Sequence, residues 1–271
     1  MERIRLDGVW QEFRPRSAHG NRRHKSPVKW ALEDVSFSAH DGETVGIIGH
    51  NGSGKTTLLR TLAGVLEPSR GECRIDGRVS SLIDLTAGVN RDLTGRENIM
   101  LGAVLLGMTR SEVRERYTSI ATFSGLSDSV LNQPLSVYSS GMGLRIAFSV
   151  VVHVDATVLL VDEVLAVGDE AFQQICLDRV TRLRQEGCTV VMASHDLDQI
   201  RVFCDRVLVV HQGRLVFEGC PDDAVTRYGA LGPDPSIPVA GPRPGSSRER
   251  SGQDRPSAPG GDELDGGATL P

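Results

Sequence analysis

No run of this sequence is apolar for long enough to cross a membrane. The most hydrophobic stretch, Ile146 to Val167, is interrupted by His153, Asp155, Asp162 and Glu163, whereas a spanning helix needs about 20 consecutive apolar residues. The start, Met1-Glu2-Arg3-Ile4-Arg5, has no apolar core behind it and does not read as a signal peptide. If the protein works at a membrane, another chain is expected to do the spanning. A basic excess is missing as well. The 30 Lys and Arg against 35 Asp and Glu leave a formal charge of −5, which argues against nucleic acid as a partner. The five cysteines, Cys73, Cys176, Cys188, Cys204 and Cys220, are odd in number and without metal-ligand spacing, so a reduced, cytosolic compartment fits. Lysine is nearly absent: Lys25, Lys29 and Lys55 stand beside 27 arginines.

What is present reads as a folded core, with 39% hydrophobic and 24% charged residues over 271 positions, enough for one large α/β domain or two small ones. Residues 1–13 and 31–48 read as strands. The insert 14–29 between them holds Arg14, Arg16, Arg22, Arg23, Lys25 and Lys29 and no acid. It reads as a solvated loop, with contact to anionic lipid headgroups or an acidic substrate as the alternative. Glu43-Thr-Val-Gly-Ile-Ile48 is an apolar run that meets a glycine-rich stretch, followed by a helical pattern through Leu66. Short strands follow around 71–83, and the pattern from Leu93 to about Phe148 is helical. Residues 157–161 and 188–193 are continuous apolar strands with a helix at 169–186 between them. Such strands imply a mostly parallel sheet covered on both faces, with 93–148 as an inserted helical subdomain. Beyond Ala230, the last 41 residues carry 8 of the 13 prolines and almost no large apolar side chains. The expected organisation is a folded domain over 1–229 and a disordered tail over 230–271.

Gly49-His50-Asn51-Gly52-Ser53-Gly54-Lys55-Thr56 fits the phosphate-loop pattern G-x-x-x-x-G-K-[ST], with Thr57 next in the helix. Its glycines let the backbone approach phosphates, so that consecutive N–H groups and the helix N-terminus face the anion. Lys55 is expected to reach the β- and γ-phosphates of ATP, and the Thr56 hydroxyl to ligate Mg²⁺. An arginine-rich composition keeps a compact ammonium here, where a point charge suits phosphate. Val158-Leu-Leu-Val-Asp162-Glu163 is an apolar strand ending in two carboxylates. Asp162 is expected in the Mg²⁺ shell. Glu163 would orient or deprotonate the attacking water, as a general base does.

Together these residues resemble the ABC ATPase family over positions 1 to about 228. The fold implied is an α/β phosphate-loop core with a mostly parallel sheet, N-terminal antiparallel strands and the helical subdomain. Tyr138-Ser139-Ser140-Gly141-Met142 stands where the family carries its LSGGQ signature, 23 residues before Asp162. Ala166-Val167-Gly168-Asp169 resembles the D-loop, and Ser194-His195-Asp196 the switch histidine, which the resemblance implies touches the γ-phosphate. Ser139 and Gly141 precede a helical run read as Leu144 to His153, which places their hydroxyl and N–H groups at a positive helix terminus. The resemblance implies that they serve the ATP of a second copy, so a homodimer sandwiches two nucleotides. It also implies an adenine-stacking aromatic near the N-terminus. Phe13 is the best placed and Trp30 the runner-up, with core packing the plainer role for either.

The signature departs from LSGGQ at Tyr138, Ser140 and Met142. No glutamine follows the strand at 79–83, where the family's Q-loop belongs, and Asp84 is the residue left to take that role. With Leu93-Thr-Gly-Arg-Glu-Asn-Ile99 and Val161-Asp-Glu-Val-Leu-Ala-Val-Gly-Asp169, the chain is similar to the ATPase subunits of polysaccharide exporters, which handle O-antigen, teichoic acid and related lipid-linked glycans. The resemblance implies ATP hydrolysis coupled to transport. It implies a membrane-spanning permease as partner, a lipid-linked glycan handled through it, and a peripheral place on the cytoplasmic face of the cell membrane. A soluble ABC ATPase acting on ribosomes or DNA, an ABC ATPase for another exported substrate, and a regulatory module without turnover are the alternatives.

Overall fold

The computed structural model describes residues 1–13, 29–83, 88–162 and 169–232. Strands β1 (Glu2–Phe13), β2 (Lys29–His40) and β4 (Arg70–Ile75) form an antiparallel sheet in the order β2-β1-β4. Along β1 and β2 the pairing shifts between Leu6 and Val9, where Gly8 of β1 adopts positive φ, and again between Val9 and Gln11, where Asp34 of β2 does. The Gly8 amide donates to the Ser36 hydroxyl across the first of these bulges at 2.8 Å. The extra residue in β1 returns Val9 to the inward face used by Leu6, and the extra residue in β2 returns Leu32 to that used by Val35 and Phe37.

The second sheet runs β5-β6-β7-β3-β8-β9. It comprises β3 (Thr44–Ile48), β5 (Val79–Ser81), β6 (Val158–Asp162), β7 (Thr189–Ala193), β8 (Arg206–His211) and β9 (Arg214–Gly219). The first five in that order are parallel, and β9 returns antiparallel on β8. Every residue of β3 and β7 is buried, as strands covered on both faces must be. Along β6 the two faces separate residue by residue. Val158 and Leu160 pack with helix α1 (Lys55–Leu62) and the antiparallel sheet, whereas Leu159 and Val161 pack with helix α6 (Glu170–Gln185). A third cluster fills the helical part: α2 (Gly95–Leu105), α3 (Arg110–Phe123), α4 (Asp128–Leu131), a 3₁₀ turn at Leu135–Val137, and α5 (Ser140–Val151). Thr94 with Glu97 and Thr109 with Glu112 close reciprocal capping boxes at the starts of α2 and α3.

Three expectations change. The strand expected over 31–48 is two strands in different sheets. Gly42, at φ 69, makes a turn closed by the Glu43 amide on the His40 carbonyl at 3.0 Å, and Glu43 Oε2 accepts from the His40 amide at 2.8 Å. Helix α1 ends at Leu62 rather than Leu66, because Gly64 turns left-handed and the amides of Val65 and Leu66 return to the Arg60 carbonyl. Helix α5 begins at Ser140 rather than Leu144. Two further helices complete the described chain: α7 (Leu197–Phe203) and α8 (Pro221–Gly229), capped by Ala230. The tail expected over 230–271 lies outside the described residues from position 233, and so do positions 14–28 of the basic insert.

Candidate nucleotide site

The carboxyl ends of three parallel strands define one edge. Register places Ile47 and Asp162 on either side of Ala193, so the loop after β3, the acid closing β6 and the corner after β7 lie side by side. Ligands of open α/β sheets bind at this kind of edge.

Gly49 opens the phosphate loop where only glycine fits: a Cβ there would lie 2.2 Å from the Val210 carbonyl oxygen. Gly54 closes it at φ 115, where a Cβ would meet the Ala31 carbonyl at 2.6 Å. Between them the chain wraps back on itself. The Ser53 amide donates to the His50 carbonyl at 3.1 Å, and Lys55 Nζ donates to the carbonyls of Gly49 at 2.7 Å and His50 at 3.2 Å. Lys55 is only 7% exposed, so its ammonium is held inside the cradle. Buried Ser53 Oγ has no hydrogen-bond partner among the described residues, an orphaned polar atom of the kind a bound oxyanion satisfies.

The loop opens on a cleft of about 1340 Å³, lined by Asn51, Gly52, Thr56, Thr57, Asp162 and Phe13 among others. Thr56 is exposed and Asp162 half-buried. A hydroxyl and a carboxylate in one cleft beside a phosphate cradle fit Mg²⁺, which takes one or two protein oxygens and completes its shell with phosphate and water. The described residues hold no cluster of three or more acids, histidines or cysteines that could cage a metal alone. Phe13 is 43% exposed at the end of β1. Trp30 also lines the cleft, but it stands edge-on to Trp10 with centroids 5.3 Å apart, and the Arg70 guanidinium lies 5.3 Å from its ring centre. Of the two aromatics, Phe13 presents the more open face.

His195 is exposed on the corner between β7 and α7. The corner is held by Ser194 Oγ, which accepts from the Asp196 amide at 3.0 Å, and by Asp196, which caps α7 through the amides of Asp198 and Gln199. Glu163 and Asp84 fall outside the described residues.

Ser139, Gly141 and Asp169 do not join this cleft. They line a second one of about 450 Å³, with Leu144 the wall common to both. Ser139 is the N-cap of α5, its hydroxyl accepting from the Met142 amide at 3.3 Å, and Gly141 lies inside the first turn. Asp169 caps α6 through the Phe172 amide and faces Arg145 of α5. Tyr138, the first departure from LSGGQ, belongs to the core of the helical part. Its hydroxyl donates to the Val130 carbonyl at 2.6 Å, and burial pushes its pKa up.

One wall of the first cleft went unread in the sequence. The turn between β8 and β9 brings His211, Gln212, Gly213 and Arg214 to it. The Gly213 amide donates to the Ser53 carbonyl and its carbonyl accepts from the Glu33 amide, both at 2.8 Å. The signal was Gln212-Gly213 between two apolar runs, a turn dipeptide whose first residue takes φ 48.

A phosphate cradle between a buried parallel strand and a helix, with an acid at the next strand's end, defines a phosphate-loop nucleotide-binding protein. Residues 32–166 match the family model described as ABC transporter. The chain is 42% identical to the O-antigen export system ATP-binding protein RfbB of Klebsiella pneumoniae, over 73% of this chain and 80% of that protein. It therefore belongs to the ABC transporter family. It is 41% identical to the ABC transporter protein AbcA of Aeromonas salmonicida, over 74% of this chain and 65% of that one. With the teichoic acids export ATP-binding protein TagH of Listeria monocytogenes the identity is 42%, over 73% and 59%. The chain thus spans less than two thirds of the length of AbcA and TagH. Among solved structures, an ATP-binding subunit of an ABC transporter superposes with a TM-score of 0.69 at 22% identity, over 86% of this chain and 95% of that one. A dimeric ATP-binding cassette bound to ADP and Pi gives 0.67 at 21%, over 80% and 98%. Both show the shared fold.

Proposed function

We propose that this chain is the ATP-hydrolysing subunit of an exporter that moves a lipid-linked polysaccharide across the cytoplasmic membrane, working as a pair of copies on the membrane's inner face. The observation that carries this reading is the division of the site. The phosphate cradle opens into one cleft and the signature helix N-terminus into another. In this reading the second cleft closes over the nucleotide of a second copy. Export of O-antigen and of teichoic acids is what the names of RfbB and TagH state, and both relatives exceed 40% identity here.

Within the shared site each residue has a distinct task. The loop amides and Lys55 take the β- and γ-phosphates. Thr56 and Asp162 hold Mg²⁺, which neutralises phosphate charge when bound. Glu163 holds the attacking water and accepts its proton, His195 meets the γ-phosphate, and Phe13 stacks on adenine. The partner's signature helix adds N–H donors aimed at the charge that develops on phosphate.

No helix among the described residues is long and apolar enough to cross a membrane. An apolar groove of about 410 Å³ runs between α1, β5 and helices α2 and α5, lined by Val79, Ile83, Val89 and Leu106. Val65 and Leu105 on its wall are 69% and 65% exposed. Such a groove suits an amphipathic helix presented by a membrane-spanning subunit. The test is affinity purification of the full chain from gently solubilised membranes. A multi-spanning permease should co-purify, and Val65→Asp with Leu105→Asp should release it while nucleotide binding stays intact. Recovery of the chain without any such partner would sink the export reading.

A further inference from the structure

His50 is the second residue of the phosphate loop, but its side chain does not line the nucleotide cleft. It packs on Tyr228 of α8, with ring centroids 5.0 Å apart, and stands edge-on to His211 at 6.2 Å. The Tyr228 hydroxyl lies 3.2 Å from His50 Nδ1. His50 Nε2 is buried and has no hydrogen-bond partner among the described residues. Whichever tautomer the ring holds, one nitrogen is paired with Tyr228 and the other is dry. The orientation of the imidazole is therefore set by these ring contacts and by one hydroxyl on a helix 178 residues away.

That orientation matters because of what the His50 backbone does. Its carbonyl oxygen accepts from the Ser53 amide and from Lys55 Nζ. The ring and this peptide share one Cα, so a ring clamped against α8 restrains the peptide that accepts from both the loop's internal turn and its ammonium. We propose that Tyr228 is a positioning residue for nucleotide binding, holding the phosphate loop in its receiving shape through the imidazole of His50. The inference rests on the reading of this loop as the ATP site. It gives α8 a task in that site: the last described helix reaches the first loop of the parallel sheet through Tyr228, by its ring and its hydroxyl.

The test uses the full chain with Tyr228→Phe, His50→Ala, the double variant and Lys55→Ala. Tyr228→Phe removes one oxygen and leaves the ring packing in place. It should weaken MgATP binding about fivefold, the loss expected of one hydrogen bond, while the melting temperature without nucleotide falls by no more than the roughly 2–4 °C that one such bond gives in a domain of this size. The ¹⁵N resonance of His50 Nδ1 should shift in the same variant. His50→Ala should weaken MgATP binding further, and the double variant should bind no more weakly than His50→Ala alone if Tyr228 reaches the nucleotide through that ring. Unchanged MgATP affinity in Tyr228→Phe overturns the proposal, as does independent multiplication of the two effects. So does a loss of affinity that comes with a melting-temperature fall large enough to mark general destabilisation. Lys55→Ala separates the layers: it should lose MgATP binding outright. If it binds like wild type, the nucleotide-site reading fails and this inference with it. If it is silent while Tyr228→Phe behaves as wild type, only the role of Tyr228 is lost.

Discussion

One guanidinium nitrogen of Arg145 lies 2.9 and 2.8 Å from the two carboxylate oxygens of Asp169. The pair ties α5, which starts at the signature, to the residue that caps α6. The Arg145 guanidinium also lies 4.7 Å from the ring centre of Phe172, one turn into α6. Asp169 thus holds two roles at once, a cap for the helix and a counter-charge for the wall of the second cleft.

Substitution can separate those roles. Asp169→Asn retains a side chain that caps well, whereas Asp169→Ala removes the cap at about 1 kcal/mol. The alanine variant should melt roughly 2–4 °C lower, the shift such a loss gives in a domain of this size, and the asparagine variant close to wild type. Both lose the charge that faces Arg145, so both should release phosphate from ATP more slowly. Equal melting temperatures for the two variants would mean that the ion pair, not the cap, carries the stability.

Thiol reactivity should follow burial. Cys176 and Cys204 are pushed up to about 12 and Cys188 to about 11, all mainly by desolvation of the thiolate. At pH 8 these three are thiols shielded in the core, and the thiolate is the reactive form. Cys220 is exposed at the start of α8. Titration of the native protein with a maleimide, read by intact mass, should give one fast addition at Cys220. Three silent positions should open only on unfolding. Rapid labelling of Cys204 in the folded state would contradict the packing around β3 and α7.

How much of this was legible beforehand follows from where each residue's surroundings come from. The parallel strands were readable because both their faces are buried, which leaves a continuous apolar run in the sequence. The phosphate loop was readable because its constraints are local: Gly49 and Gly54 must lack a Cβ, and Lys55 follows at once. The break between β2 and β3 was not, since only Asp41-Gly42 separates the alternating β2 from the continuously buried β3, which belongs to the other sheet. The start of α5 was hidden by Gly141 and Gly143, poor helix formers, although Ser139 marks it as a cap. Tyr228 carries no motif of its own. Its importance comes from a contact 178 residues distant, and nothing along the chain records that.

Glu163 follows the half-buried carboxylate of Asp162 and is the expected base. Glu163→Gln keeps size and hydrogen bonding but cannot accept a proton. It should bind MgATP like wild type and lose turnover by about 10²–10⁴-fold, the range a positioned general base contributes. It should also accumulate an ATP-bound dimer on gel filtration. Retention of more than about a tenth of the wild-type kcat would assign the proton transfer to another group.

Completion of the site by a second copy makes the sharpest demand on geometry. In one chain Ser139 lines the second cleft and Asn51 the first, with Leu144 as the wall they share. Both residues are exposed, so cysteines placed there are open to a cross-linker without disturbing the core. The native thiols of Cys176, Cys188 and Cys204 are buried and need no replacement. Only Cys220 and the half-buried Cys73 must be changed to serine. A chain carrying Ser139→Cys, mixed with one carrying Asn51→Cys, should then form a covalent pair on addition of a short bifunctional maleimide. The pair should appear with MgATP in the Glu163→Gln background and fade when ATP is omitted, because in the proposed pair nucleotide draws the positive end of α5 onto the partner's phosphate loop. The double variant in a single chain should cross-link between chains and not within one. Efficient linkage inside one chain, with none between chains, would remove the shared site and leave each copy to complete its own.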